Sequence, residues 1–314
     1  MRLGRRPLLA WGAALATPAL AQPGFPSRPI TLLVPYAPGG ITDTLARMMA
    51  ERLSARLGVP VAAENRSGAG GLIAAQATAR APADGTTLMM HSSAILVVAA
   101  NAPDQNFNPQ AMLAPVAFVA GLPALLVATP SLPVHTMPEL LRWLRDNPGR
   151  ANFGILGEGS SDHQAGKALE RAAGTRMEFP VYRGLPPLNV DLLSGAIQLN
   201  FGSLPVQMPL AREGRLRALA VGTAQRLADH PDLPTLREAG VDYDGLAVNA
   251  LFAPAGTPAA VLARLNAEAA AIMQEPAVRE RILALGGITG PADIASLGAL
   301  FQRDWDRAQA ARPR

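Results

Sequence analysis

Short apolar runs that each end in a glycine-rich turn and then give way to a helical pattern limit most strongly how this chain can fold. Ile30-Thr-Leu-Leu-Val34 is the first such run, and its unbroken apolar character suits a strand covered on both faces. A Pro/Gly turn spans 35–40. Leu45, Met49, Leu53 and Leu57 then recur every four residues as one stripe of a helix, which Gly58 ends. A second strand, Val61-Ala-Ala-Glu64, enters the turn Gly68-Ala-Gly-Gly71, and a helix follows to about Ala81. Asp84-Gly85 turns the chain into Thr86-Thr-Leu-Met-Met90. This is βαβαβ, the order of a parallel sheet with crossover helices, so the fold class is α/β.

The middle of the chain repeats the theme. Thr136-Met-Pro-Glu139 has the form of a capping box with proline in the first turn, and predicts a helix through Arg145. A strand is expected over Asn152 to Ile155. The turn Gly157-Glu-Gly-Ser-Ser161 follows, and then a helix to Ala173 before Gly174. Further strands are expected near Met177–Val181, Ala196–Phe201 and Leu216–Val221. Two extended apolar stretches, Pro123–Ala128 and Leu246–Pro254, read as places where the chain passes between lobes. After Pro254 only helical patterns remain, at 258–274, 276–285 and 293–311, and these must pack on a sheet already built, that of the first lobe. With 314 residues, two domains are the natural expectation.

The N-terminus reads as an export signal. Arg2, Arg5 and Arg6 form a basic start, an apolar stretch runs from Leu8 to Leu20, and Ala19-Leu20-Ala21 offers a small-x-small cleavage site. The expected mature chain begins at Gln22. It is expected to be soluble in the periplasm, to be monomeric and to carry no lipid anchor, because the chain has no cysteine. The Arg5-Arg6 pair leaves Sec and twin-arginine export both open. Removing the segment's three arginines from the formal charge of +4 leaves a nearly neutral mature chain. Its remaining arginines are scattered without a basic, aromatic-rich run, which argues against nucleic-acid binding.

Three turns share one design: Tyr36 to Asp43, Arg66 to Gly71, and Gly157 to Ser161. Each follows a strand, is rich in small residues and opens a helix. Unpaired N–H groups at a helix start carry partial positive charge, and glycine lets a ligand approach the backbone. Together they make an anion site that needs no lysine or arginine, at the carboxyl ends of strands where α/β sheets gather ligands. Motifs for other chemistry are missing. No G-K-[ST] follows the glycines, Asp162 stands where a dinucleotide fingerprint needs its third glycine, and no G-x-S-x-G elbow occurs. His91, His135 and His230 lack metal-ligand spacing. No metal or cofactor is expected. Ser160, Ser161, Asp162 and His163 adjoin in sequence; one of the serines suits a helix N-cap, and His163 falls in the first turn, facing the cleft or not. Asp43 and Glu64 could form a carboxylate pair, although Asp43 also suits a first-turn acid favoured by the helix dipole.

Taken together, Phe25 to Asp43 with Ala46-Arg47, Glu64 to Gly71, Asp84-Gly85-Thr86 and Leu251-Phe-Ala-Pro-Ala-Gly-Thr-Pro258 resemble the tripartite tricarboxylate transporter substrate-binding family, also called Bug receptors. The likeness covers nearly all of the mature chain, in order. It implies a two-lobed periplasmic binding protein (type II-like) of two Rossmann-like α/β domains joined by two crossing segments. Lobe 1 is then 22–125 plus 250–314, and lobe 2 is 126–249. It also implies a receptor, not an enzyme, that closes by a hinge on a small carboxylate and presents it to membrane transporter subunits. The same fold could instead serve as a sensor for a signalling partner. An exported hydrolase using Ser160 or Ser161 with His163 is the rival from another class. Carried over by position, the ligand-binding residues are Tyr36, Ala37, Gly39, Gly40 and Thr42 in the first-lobe loop, with Ser92 and Ser93 beside it. In the second lobe they are Gly157, Gly159, Ser160, Ser161 and His163, with Tyr182 and Arg183 from a tyrosine–basic–glycine element. The chain departs from the family pattern at Val181, which intervenes after Pro180. It departs again at Gly202, where an acid often follows the phenylalanine, and at Val248-Asn249-Ala250, where aromatic residues are common. Loss of the acid removes a partner for an ammonium group and argues against amino-acid ligands, while Arg183 could clamp a carboxylate.

Overall fold

A computed structural model describes residues 24–158, 160–182 and 185–310. The expected export signal, Gly159 and Arg183 lie outside the described residues. The chain opens as the glycine turns dictate: β1 (Ile30–Val34), α1 (Ile41–Leu57), β2 (Val61–Asn65), α2 (Leu72–Ala79) and β3 (Thr87–Ser92). β2, β1 and β3 lie side by side and parallel, with Ile30 opposite Val61 and Thr31 opposite Thr87. Gly58 ends α1 in the left-handed conformation at φ 71°, which glycine adopts without a Cβ penalty.

The apolar run after β3 forms α3 (Ala94–Asn101), and a short helix, α4 (Pro109–Met112), leads into β4 (Leu113–Ala128). β4 is far longer than the crossing stretch read from the sequence. Its first part, Leu113 to Pro123, pairs with β8 (Leu246–Pro254), and Ala124 to Ala128 pairs with β6 (Leu199–Ser203) on one side and β7 (Arg217–Val221) on the other. β8 lies antiparallel between β3 and β4. The second supposed crossing stretch is therefore a central strand of the first sheet. Near Ala124 the chain's two passes are tied together: Gly222 donates its N–H to the Ala124 carbonyl (2.8 Å), and Gly245 donates to the Gly222 carbonyl (2.8 Å).

The remaining elements are α5 (Met137–Asp146), β5 (Phe153–Gly154), α6 (Ser161–Ala173), α7 (Leu185–Ser194), α8 (Leu204–Arg212), α9 (Ala259–Met273), α10 (Pro276–Ala284) and α11 (Ile294–Ala310). The strand expected over 177–181 does not form as a strand. Only isolated bridges, Asn152 to Glu178 and Ile155 to Val181, tie that segment to β5. Thr136 caps α5 by accepting the Glu139 N–H (3.3 Å), but the Glu139 carboxylate reaches the His135 N–H (2.6 Å), one residue before the cap, so the box is offset.

Each half of the molecule has apolar clusters on both faces of its strands, which makes the fold two-lobed. In the first, β1, β3 and β8 are packed against α1 and α9 on one face and against α2, α3 and α11 on the other. In the second, β4, β6 and β7 are covered by α5 and α6 on one face and by α7 and α8 on the other. Residues of α9 and α10 join the first of these clusters with β1, β3 and β8, and residues of α11 join the one on the opposite face.

Candidate functional site

The carboxyl ends of β1 and β3 and the start of α1 come together at one corner of the first lobe. After β1 the chain turns through Ala37 to Gly40, all exposed, with Gly39 at φ 92° where a side chain would be strained. Gly40 is the N-cap of α1 and supplies no side-chain cap. The loop is shaped from beneath by Asp43. Its Oδ2 accepts the Gly39 N–H (2.9 Å) and Arg47 Nε (3.0 Å), and its Oδ1 accepts Asn65 Nδ2 (2.8 Å). Asn65 also donates to the Tyr36 carbonyl (2.9 Å). Burial alone would raise the Asp43 carboxyl, but the bonds from Arg47, Gly39 and Asn65 outweigh it and hold it at about 2. Asp43 and Glu64 are not a carboxylate pair, since Glu64 is bound to Arg66 (2.8 Å).

Two polar contacts line the same corner. Tyr36 Oη lies 3.3 Å from Ser92 Oγ, and burial raises the tyrosine's pKa. Thr42 Oγ1 donates from the start of α1 to Asn249 Oδ1 on β8 (2.9 Å), while Asn249 Nδ2 is a buried donor without a hydrogen-bond partner among the described residues. Asn249 stands opposite Ser92 in the β3–β8 register. The sequence marked Asn249 only as a departure from the family pattern. Ser93 is spent on backbone: its N–H donates to the Val248 carbonyl and its Oγ accepts the Val248 N–H (3.2 Å).

The second glycine turn is packed shut. Gly71 sits at φ 96° with the His91 ring against it, and a Cβ there would fall 2.2 Å from His91 Nε2. His91 is fully buried, its Nδ1 is 2.9 Å from the Ser92 carbonyl and its ring meets Tyr36 edge-on at 5.6 Å. Burial pushes its pKa down to about 4. This turn supports Tyr36 from behind.

The third turn faces the cleft from the second lobe. Ser160 is the N-cap of α6, and its Oγ accepts the His163 N–H (3.4 Å). The serine's single proton is shared between the Gly157 carbonyl (2.5 Å) and the Asp162 carboxylate. Asp162 binds the Leu156 N–H (2.7 Å) and the His163 N–H (3.0 Å), and burial raises its pKa. Tyr243 donates its hydroxyl to the Ser161 carbonyl (2.9 Å), tying the start of α6 to the returning chain. No sequence pattern had pointed to Tyr243.

Between the lobes lies a cavity of about 410 Å³, bounded by α3, the start of α6, the end of β6, residues 122–124 and 243–247, and α11. Of the expected binding residues it brings together Ser93, Ser160 and Ser161. Tyr36, Thr42 and Ser92 form their own cluster with Asn249 at the first-lobe end. At one corner Arg307 meets the Asp244 carbonyl (2.8 Å) and carboxylate; Arg237 (3.3 Å) and Arg303 (3.6 Å) approach the same carboxylate. Among the described residues there is no cluster of three or more groups that could hold a metal ion.

Residues 45–292 match the family described as the tripartite tricarboxylate transporter family receptor. The chain belongs to that family. BugT of Bordetella pertussis is 34% identical over 288 residues, covering 90% of this chain and 88% of its own. A protein from R. palustris solved with adipate is 31% identical with a TM-score of 0.73, covering 91% of this chain and 97% of that one. MatC from Rhodopseudomonas palustris, solved with bound malate, is 30% identical with a TM-score of 0.72, covering 91% and 99%.

Two expected binding residues of the receptor also have contacts within the second lobe. The His163 ring meets Phe179 edge-on at 4.9 Å, and burial followed by nearby Lys167 lowers its pKa. Tyr182 donates its hydroxyl to Asp191 (2.7 Å), and burial together with that carboxylate raises its pKa to about 12. The receptor's Gly157 acts through its carbonyl, which accepts from Ser160.

Proposed function

We propose that this receptor captures a small organic carboxylate between its lobes by hinge closure and delivers it to membrane subunits of a tripartite tricarboxylate-type transporter. The observation that carries this reading is the cavity between the lobes, entered by the first turn of α6. The exposed glycine loop Ala37–Gly40 opens α1 at the same ends of the strands. Helix starts attract anions through their N–H groups and dipoles. Relatives solved with adipate and with malate support an acid as the ligand. The binding set is then Tyr36, Ala37, Gly39, Gly40, Thr42, Ser92, Ser93, Gly157, Gly159, Ser160 and Ser161. His163 and Tyr182 belong to the wall of the second lobe, and Arg183 stays in the proposed set as a carboxylate clamp.

The lobes divide where β4 changes partners, between Pro123 and Ala124, and where the chain returns at Gly245 and Leu246. Two adjacent, hydrogen-bonded passes make a narrow hinge about which the lobes turn. The protein acts in the periplasm after cleavage behind Ala21. Among the described residues no helix is long and apolar enough to cross a membrane. Ser160 serves its loop and its helix cap, which suits a binding loop better than a nucleophile.

The test is a thermal-shift panel of carboxylates on the mature chain and on Gly40→Leu. A Cβ at Gly40 has its nearest neighbour at 4.0 Å and the backbone is not in the left-handed region, so the variant is expected to fold. An acid that binds the folded receptor raises its Tm, by RT ln(1 + [L]/Kd) in free energy. That shift is expected to vanish in Gly40→Leu while the unliganded Tm stays put. No shift with any acid would overturn the proposal.

A further inference from the structure

The chain returns from the second lobe through Tyr243, Asp244 and Gly245, and these residues are held from both sides. Tyr243 belongs to an apolar cluster of the second lobe, where its ring meets Phe201 edge-on at 5.7 Å. Gly245 lies on the hinge, its N–H on the Gly222 carbonyl. The tyrosine ring folds over it: a Cβ at Gly245 would fall 2.5 Å from a ring carbon of Tyr243. Between the two, Asp244 is buried.

The grip on Asp244 comes from the other lobe. α11 packs Leu297 and Phe301 into a first-lobe cluster, and further along the same helix Arg303 and Arg307 turn to Asp244. Arg307 Nη1 donates to both the Asp244 carbonyl (2.8 Å) and its carboxylate, so the helix holds backbone and side chain of one residue at once. Arg303 (3.6 Å) and, from the second lobe, Arg237 (3.3 Å) approach the other carboxylate oxygen. Exposed ion pairs between long side chains contribute little. Here the acid is buried and the main chain is held as well, and charge-assisted bonds of that kind are among the stronger ones.

The other end of the same segment reaches the glycine turn of the second lobe. Tyr243 Oη donates to the Ser161 carbonyl (2.9 Å), and Ser161 is the first residue of α6, with Ser160 its N-cap. Because the ring is packed between Phe201 and Gly245, the place of its hydroxyl follows the backbone at 243–245. Ser161, Tyr243, Asp244 and Arg307 all line the cavity between the lobes.

We propose that Asp244 is a positioning residue for ligand capture. Pinned by Arg307 and Arg303 of α11, it sets the Tyr243 hydroxyl, and through it the first turn of α6. The first lobe thereby holds the second lobe's half of the site at the point where the lobes join. What that turn binds rests on the receptor reading above.

Hydrogen exchange of the unliganded receptor, followed by mass spectrometry, tests the pin. Asp244→Asn keeps the side chain's size without its charge, and Tyr243→Phe removes only the hydroxyl. Each is expected to speed exchange over residues 157–165 about fivefold, the effect of one lost hydrogen bond, and to leave residues 30–57 of the first lobe unchanged. The double variant should exchange no faster than Asp244→Asn, because both changes act on one bond. Arg307→Lys, which can reach the carboxylate or the carbonyl but not both, should fall between. If Asp244→Asn fails to fold, Arg307→Lys and Tyr243→Phe carry the same comparison. Calorimetric titration with adipate and with malate is expected to show Kd weakened about fivefold to tenfold in each variant. Unaltered exchange at the start of α6, additive effects in the double variant, or faster exchange spread evenly over both lobes would overturn the proposal. So would faster exchange with Kd unchanged for both acids. If neither acid binds the unaltered chain, it is the receptor reading that fails, and the exchange pattern still decides the pin.

Discussion

Replacing Asp43 by Asn should unfasten the first-lobe loop, and the structure sets the size of the effect. The carboxylate accepts three hydrogen bonds, from Gly39 and Arg47 on one oxygen and from Asn65 on the other. An amide accepts on one side only, so either orientation leaves a donor facing a donor. Asn65 cannot turn to compensate, because its Nδ2 also holds the Tyr36 carbonyl and its Oδ1 accepts Arg47 Nη2 (2.8 Å). A carboxyl moved from its ordinary 3.8 to about 2, discounted for the half-exposed Arg47, corresponds to about 1–2 kcal/mol of stability. The misplaced donor adds about 1 kcal/mol. Asp43→Asn is therefore expected to lose about 2 kcal/mol at pH 7, or roughly 4–8 °C in Tm, and to weaken carboxylate binding through the loop. The sign with pH follows from a folded pKa below the unfolded one. The Asp43 contribution is full above about 4 and is lost as pH falls toward about 2. Urea unfolding of both proteins from pH 7 to pH 2 is the assay, and the curves should converge over the last two units. A gap that stays constant to pH 2, or no gap at pH 7, would refute the assignment of Asp43 as the ionised organiser of the loop.

Gly71→Ala combines a left-handed backbone with a Cβ 2.2 Å from His91 Nε2, and should cost about 2–4 kcal/mol, measured by the same unfolding assay; a neutral result would mean that His91 is free to move away. His91 itself titrates at about 4 when folded against 6.5 ordinarily, so the unfolded chain binds the extra proton first. Stability should fall by up to about 3 kcal/mol as pH drops from 6.5 to 4 and level off below, and His91→Gln should abolish that slope.

The sequence carried the fold where a single helix or strand decides its own pattern. The leucine and methionine stripe of α1 with its Gly58 stop, the three opening strands and the three C-terminal helices all stand within a few residues of their expected places. It failed where pairing partners decide. The run before Pro123 contains Pro115 and shifts register twice against β8, so its alternation is broken and only the neighbouring strand makes it a strand. The segment 177–181 looked like a strand because it is apolar and extended, yet it makes only isolated bridges. At the site, glycine turns were legible but their orientation was not. Gly71 differs from Gly40 in having a histidine packed against it, and that histidine arrives from β3, twenty residues on. Tyr243 and Arg307 reach the cavity from segments that carry no motif, through contacts 82 and 63 residues apart in sequence.

The place of β8 between β3 and β4 also sets an order of events during synthesis. Until Leu246 to Pro254 emerges, β3 and the first half of β4 have no strand between them, so the sheet of the first lobe is left with an empty slot. The second lobe, encoded between β4 and β8, can collect its own strands β5, β6 and β7 before that slot is filled. A nascent chain stalled before β8 would thus hold a finished second lobe and an unfinished first one, with two open strand edges kept available for a late insertion.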